Sequence, residues 1–196
     1  MHGTHGPCPE HAEFDASPRA RLIVIGAGHV SQALAPVAAL AGFAVTVLDD
    51  REELLARPAF AGARAGCYDV DELDEALPQL TDEDFIVIIT RDHARDERAL
   101  ANLVRRPYRY LGMIGSRRKV HTVLARILRR EAAMGRAAPD LARVRAPIGL
   151  ELGGRSPAEI AVSVVAELLA ERCGGDGAPM NLVPALTRAR AEGSAS

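Results

Sequence analysis

With 196 residues, 48% of them hydrophobic and 26% charged, the chain has the makeup of one soluble globular domain, too short for a dinucleotide domain plus a substrate domain. A formal net charge of -2, 4% aromatic residues and no Trp supply neither the basic field nor the stacking platforms that nucleic acid demands. No apolar run approaches the roughly 18 residues of a membrane span, and the polar start lacks the apolar stretch of a signal peptide, so a cytoplasmic location is expected.

Residues 1–19 carry His, Gly, Pro and acidic groups without apolar periodicity and read as a flexible tail, as do the Gly-, Ala-, Pro- and Ser-rich residues 174–196. The first tail holds His2, His5, Cys8 and His11, ligand types suited to a soft divalent metal, but so short a Gly/Pro segment more often dangles and no metal site is assigned. The folded domain is expected over 20–173. There, short apolar runs at 21–25, 43–48, 63–67, 85–89, 110–114 and 147–150 alternate with helical patterns, the clearest at 29–41, 94–104, 116–133 and 157–172. Continuous apolar runs of this length suit strands buried on both faces, so the prediction is a Rossmann-like, doubly wound α/β domain. Its mostly parallel sheet has about six strands and carries helices on both faces. Ser156, Pro157 and Glu159 form a capping box at the last helix, and Pro36 should kink the first one. The three cysteines, Cys8, Cys67 and Cys173, lie too far apart to suggest a disulfide framework, and Cys67 is expected in the core.

The first run leads into Gly26-Ala27-Gly28-His29-Val30-Ser31, a Gly-rich turn opening a helix. The first Gly allows the tight turn, the second lets backbone N–H groups approach a phosphate at the positive helix end, and Ser31 stands small at the third position. The next strand ends in Asp49-Asp50, where a carboxylate can bond ribose hydroxyls and disfavour a 2′-phosphate; Asp49 is the better placed. A nucleotide-like ligand is therefore expected at Gly26, Gly28, His29, Val30, Asp49 and Asp50.

In such a sheet the crevice lies beyond the carboxyl ends of the first and fourth strands. The fourth gives Thr90-Arg91-Asp92-His93, which would bring His93 near His29 with Asp92 and Asp96 nearby, a set suited to proton transfer or metal ligation, although Asp at a helix start is also ordinary capping. The fifth ends in Gly115-Ser116-Arg117-Arg118-Lys119, with three cations at a helix N-terminus. That opposes the helix dipole by a few tenths to about 1 kcal/mol each. Something anionic is needed there, so Ser116, Arg117 and Lys119 are expected to grip a phosphate or carboxylate.

The stretches VIGAGHV, FAVTVLDDR, TRDHARD, YLGMIGSRRK and APIGLELGGRSPAEIAVSVVAEL resemble, in order and spacing, the Rossmann domain of the XdhC/CoxF family, over about residues 20–172. These are accessory proteins for maturing xanthine dehydrogenase and related molybdenum hydroxylases. The resemblance implies a chaperone, without turnover of its own, that holds molybdenum cofactor during its sulfuration by a cysteine desulfurase and delivers it to the apo-hydroxylase. Gly26, Gly28, His29, Asp49, Asp50, Asp92, His93, Gly115, Ser116, Arg117 and Lys119 would line the crevice. The ligand stays open between molybdopterin, its cytosine dinucleotide form and NAD. Longer members carry a preceding domain with a cysteine, not found before residue 20, so a separate CoxI-like protein is an expected partner. Ser31, Arg91, Glu151 and Gly154 depart from the family pattern in minor ways. An NAD-dependent oxidoreductase using His93 as acid-base residue and an NAD(H)-responsive regulatory module remain alternatives, and apolar helix faces leave room for a homodimer.

Overall fold

The computed structural model describes residues 19–180. His2, His5, Cys8 and His11 lie outside the described residues, as does most of the C-terminal tail. In chain order, β1 (Ala20–Ile25) feeds α1 (His29–Leu40), β2 (Phe43–Asp49) the single turn α2 (Glu52–Leu55), and β3 (Arg64–Cys67) the single turn α3 (Leu73–Ala76). Then β4 (Phe85–Ile88) leads to α4 (His93–Leu103), β5 (Tyr110–Met113) to α5 (Arg117–Ala133), and β6 (Val144–Arg145) to α6 (Pro157–Cys173). All pairings are parallel and the strand order is β3-β2-β1-β4-β5-β6. This is the doubly wound Rossmann arrangement, with its reversal of winding between β1 and β4.

β1 explains why the sheet folds this way. Leu22 and Val24 join a core layer with Leu34 and Ala38 of α1 and Val164 and Leu168 of α6. Ile23 and Ile25, pointing to the other face, join Leu100 and Leu103 of α4 and Val123 and Ile127 of α5. A strand buried on both faces has no polar side to present, hence the unbroken apolar run. Helix α1 continues through Pro36 to Leu40, and α6 starts on the expected capping box and ends on Gly174 in the left-handed conformation.

Two expectations are corrected. The sixth strand is not 147–150 but the two residues of β6, and the apolar run PIGL leaves the sheet after a cis Ala146–Pro147 peptide. Pro147 has no N–H for a ladder and Gly149 takes φ +99. The N–H of Ile148 still bonds Met113 O at 3.2 Å, but that of Leu150 turns to Ser163 O in α6, at 3.2 Å. Cys67 is exposed rather than in the core, because β3 is the outer strand of the sheet and no layer covers it there.

Candidate functional site

The carboxyl ends of β1, β2, β4 and β5 meet around the Gly turn. Gly26 has φ +111, and its N–H bonds Leu48 O at 2.7 Å; a Cβ there would stand 2.2 Å from Ile89 O. Only glycine fits between those two backbones. Gly28 is different: φ is -71 and nothing lies within 4 Å of its would-be Cβ, so it faces open space at the N-cap of α1. No side chain caps α1 and its first turn carries no acidic residue. His29 is exposed and Val30 is half-buried against the core. Ser31, at the third position of the turn, is 0% exposed, and its hydroxyl has no hydrogen-bond partner among the described residues.

On the β2 side the crevice is closed by charge pairs. Asp49 accepts from Ala27 N at 2.7 Å, Arg51 N at 3.0 Å, and the Arg51 guanidinium at 2.8 and 2.9 Å. Four bonds occupy the acceptor positions of a carboxylate, so Asp49 pins the Gly turn to β2 and has none left for a ribose. Burial pushes its carboxyl up, but the bonds from Arg51 and Ala27 outweigh burial and hold it below the usual carboxylate range. Asp50 takes both terminal nitrogens of Arg91, at 2.7 and 3.0 Å, and one of Arg95 at 2.9 Å; Arg95 also pairs with Asp69 at 2.7 Å. About 10 Å³ of free space remains between these groups and Ile25, Gly26, Leu48, Tyr68 and Thr90. That is room for about one water.

The β4–β5 side is built around Asp96, which is 0% exposed in the first turn of α4. It accepts from Thr90 N at 3.1 Å, from Thr90 Oγ1 at 2.7 Å, and from the ammonium of Lys119. Asp92 caps α4 by accepting from Arg95 N at 2.8 Å, and Ser116 caps α5 by accepting from Lys119 N at 3.2 Å. The stem of Lys119 lies over Gly115, where a Cβ would meet its Cδ at 2.7 Å. Lys119 is thus held inside the protein. Arg117 and Arg118 are exposed, and among the described residues their side chains have neither an ion pair nor a hydrogen-bond partner. No acidic residue lies in the first turn of α5.

His29 and His93 are both exposed first residues of their helices, and neither side chain makes a hydrogen bond among the described residues. The sequence reading missed the roles of Arg51, Arg91 and Arg95. The Asp-Asp-Arg run at 49–51 was the available signal, since an arginine beside two carboxylates tends to pair with one. No group of three or more His, Cys, Asp or Glu residues suited to a metal occurs among the described residues.

Comparison with known proteins bears on the same stretch. The family model described as "XdhC Rossmann domain" matches residues 22–168. The chain is 37% identical over 153 residues to the uncharacterized protein YqeB of Escherichia coli K12, covering 77% of this chain and 27% of that protein. It is 32% identical over 162 residues to a Bacillus subtilis 168 protein named as a probable subunit of xanthine dehydrogenase, covering 79% of this chain and 44% of that one. A crystal structure of a xanthine dehydrogenase from Bacillus halodurans superposes with a TM-score of 0.68 at 27% identity, over 84% of this chain and 46% of that one. The chain therefore spans less than half of each of these relatives. Since the family match runs from β1 into α6 and takes in every strand end that builds the crevice, the chain belongs to the XdhC Rossmann domain family.

Proposed function

We propose that this domain holds a phosphorylated pterin, molybdenum cofactor or its cytosine dinucleotide form, during maturation of a molybdenum hydroxylase. The observation that carries the reading is the asymmetry of the crevice. Its β2 side, where a dinucleotide-binding domain seats the adenosine ribose, is filled by the Asp49–Arg51 and Asp50–Arg91 pairs. At the end of β1, α1 starts without a carboxylate in its first turn and Gly28 faces open space; on the β5 side α5 likewise starts without a carboxylate in its first turn and offers the unpaired Arg117. Those groups suit a phosphate. In this reading the ligand is anchored from the ends of β1 and β5, away from the Asp49–Arg51 pair. The molybdenum centre, when bound, supplies the redox chemistry of the client enzyme; this chain's residues bind, orient and shield.

The names of the two Bacillus relatives point to a xanthine dehydrogenase-type client. In this reading the domain works in the cytoplasm and passes the cofactor to the apo-hydroxylase. A cysteine desulfurase supplies the sulfur, and a CoxI-like protein is a further partner. The test is native mass spectrometry of the protein purified from a host with intact molybdenum cofactor synthesis. A pterin mass that disappears in Arg117→Gln is the expected result. A nicotinamide dinucleotide as the sole bound mass would replace this reading with an NAD-responsive module or an oxidoreductase using His93.

A further inference from the structure

Helices α1 and α6 lie side by side on one face of the sheet. They run the same way, since Arg172, near the end of α6, donates to Ala41 O, just past the end of α1, at 2.9 Å. Each turns one apolar stripe to the sheet, Leu34 and Ala38 from α1 and Val164 and Leu168 from α6. Each also carries a second stripe away from the sheet. Ala33, Val37 and Leu40 follow one another at helical spacing along α1, as do Val162, Ala166 and Leu169 along α6, and none of the six is buried. Leu40 is 88% and Val162 51% exposed.

Charge is missing from this layer. In a chain with 26% charged residues, the 12 residues of α1 would hold about three; they hold no Asp, Glu, Lys or Arg. From Ile160 to Ala170 of α6 the one charged residue is Glu167, and it is turned inward, accepting from Tyr110 OH at 2.8 Å and from Gly149 N at 2.5 Å. The opposite layer differs: Arg117, Arg118, Arg129 and Arg130 of α5 are exposed, and their side chains have no ion pair among the described residues. A helix that is apolar on every side is ordinarily covered on every side.

We propose that the outer face of α1 and α6 is the interface through which two copies of this chain pair across a two-fold axis. A two-fold interface sets a surface against itself, which raises no repulsion where no charge stands, whereas the arginines of α5 would face their own images. Size agrees with a second copy. The 12 residues of α1 and 17 of α6 span about 18 and about 25 Å, and two adjacent helices are about 20 Å across. Covering such a face removes about 1,000 Å² from the two copies together, the lower bound of a specific interface. The pair is therefore one that forms and separates in the micromolar range.

Analytical ultracentrifugation of the whole chain from about 1 to about 500 µM tests this. The expected result is a mass that rises with concentration from one chain to two and no further. Val162→Glu and, independently, Leu40→Lys should each raise the concentration of half-association at least about tenfold, because each sets like charges against each other in the pair. Arg118→Glu combined with Arg129→Glu, on the other layer, should leave it unchanged. Circular dichroism matching the unaltered chain shows that the variants are folded, and Leu40→Lys, at 88% exposure, keeps the test open if Val162→Glu does not fold. A single-chain mass at every concentration, association that both variants leave intact, or growth past two chains overturns the proposal; the first of these gives the face to an unlike protein. None of the three bears on the pterin reading, which is tested by retention in the crevice variants.

Discussion

Lys119 sets its ammonium on the carboxylate of Asp96, joining the first turn of α5 to the first turn of α4 through a buried ion pair. Removing the cation leaves Asp96 charged in the interior with only Thr90 as donor. Lys119→Gln should therefore cost about 3 kcal/mol or more of unfolding free energy. Arg117→Gln, at an exposed and unpaired residue, should stay within about 0.5 kcal/mol and act on ligand affinity alone. Guanidinium unfolding of both variants, beside cofactor retention, separates the two roles.

The two glycines of the first turn predict opposite outcomes for the same substitution. Gly26→Ala puts a methyl group 2.2 Å from Ile89 O at φ +111 and should unfold the domain or cost several kcal/mol. Gly28→Ala meets nothing within 4 Å, so the fold should be retained. Its methyl group then stands where a phosphate would approach the backbone, and cofactor retention should fall. Circular dichroism and native mass spectrometry on the pair give the answer.

Ser31→Ala removes a hydroxyl that is buried and, among the described residues, unpartnered. Losing an unsatisfied polar atom should leave stability unchanged or raise it by up to about 1 kcal/mol. A loss above about 1 kcal/mol in denaturant unfolding would show that the hydroxyl is bonded in solution.

Acid should destabilise the domain from the two ends of the sheet. Asp84, beside the start of β4, is pushed up by burial, but bonds from Arg21 and Thr81 prevail and hold it low; Asp49 is held low at the other end. Both bind protons less readily folded than unfolded. Their contribution is complete above the unfolded value of about 3.9 and is lost as pH falls through the folded values. Unfolding midpoints measured from about pH 7 to about pH 3 should drop below about pH 4, and Asp84→Asn should lower the plateau and flatten the drop.

The strands were legible where both faces of the sheet are covered, as for Leu22–Ile25, since burial on two sides leaves an unbroken apolar run. The same signal misled at 147–150, where the residues are just as apolar but their side chains and N–H groups are used by the loop and α6. The glycines and cations of the crevice were legible from local spacing. What joins them was not: Arg91 meets Asp50 across 41 residues and Lys119 meets Asp96 across 23. Helix-dipole reasoning called for an anion at this helix start, and for Lys119 an intramolecular group, Asp96, supplies it.

The loop that leaves β6 is fastened before any ligand arrives. Ile148 fills the space over Gly112, Gly149 N bonds Glu167 Oε2 at 2.5 Å, and Leu150 exchanges bonds with Ser163. The conformational entropy of this wall is lost when the chain folds and not when a guest docks. Recognition on the β5–β6 flank is therefore preorganised up to Leu150. Residues 151–155, all exposed, are the stretch left to adapt to the guest or to whichever protein receives it.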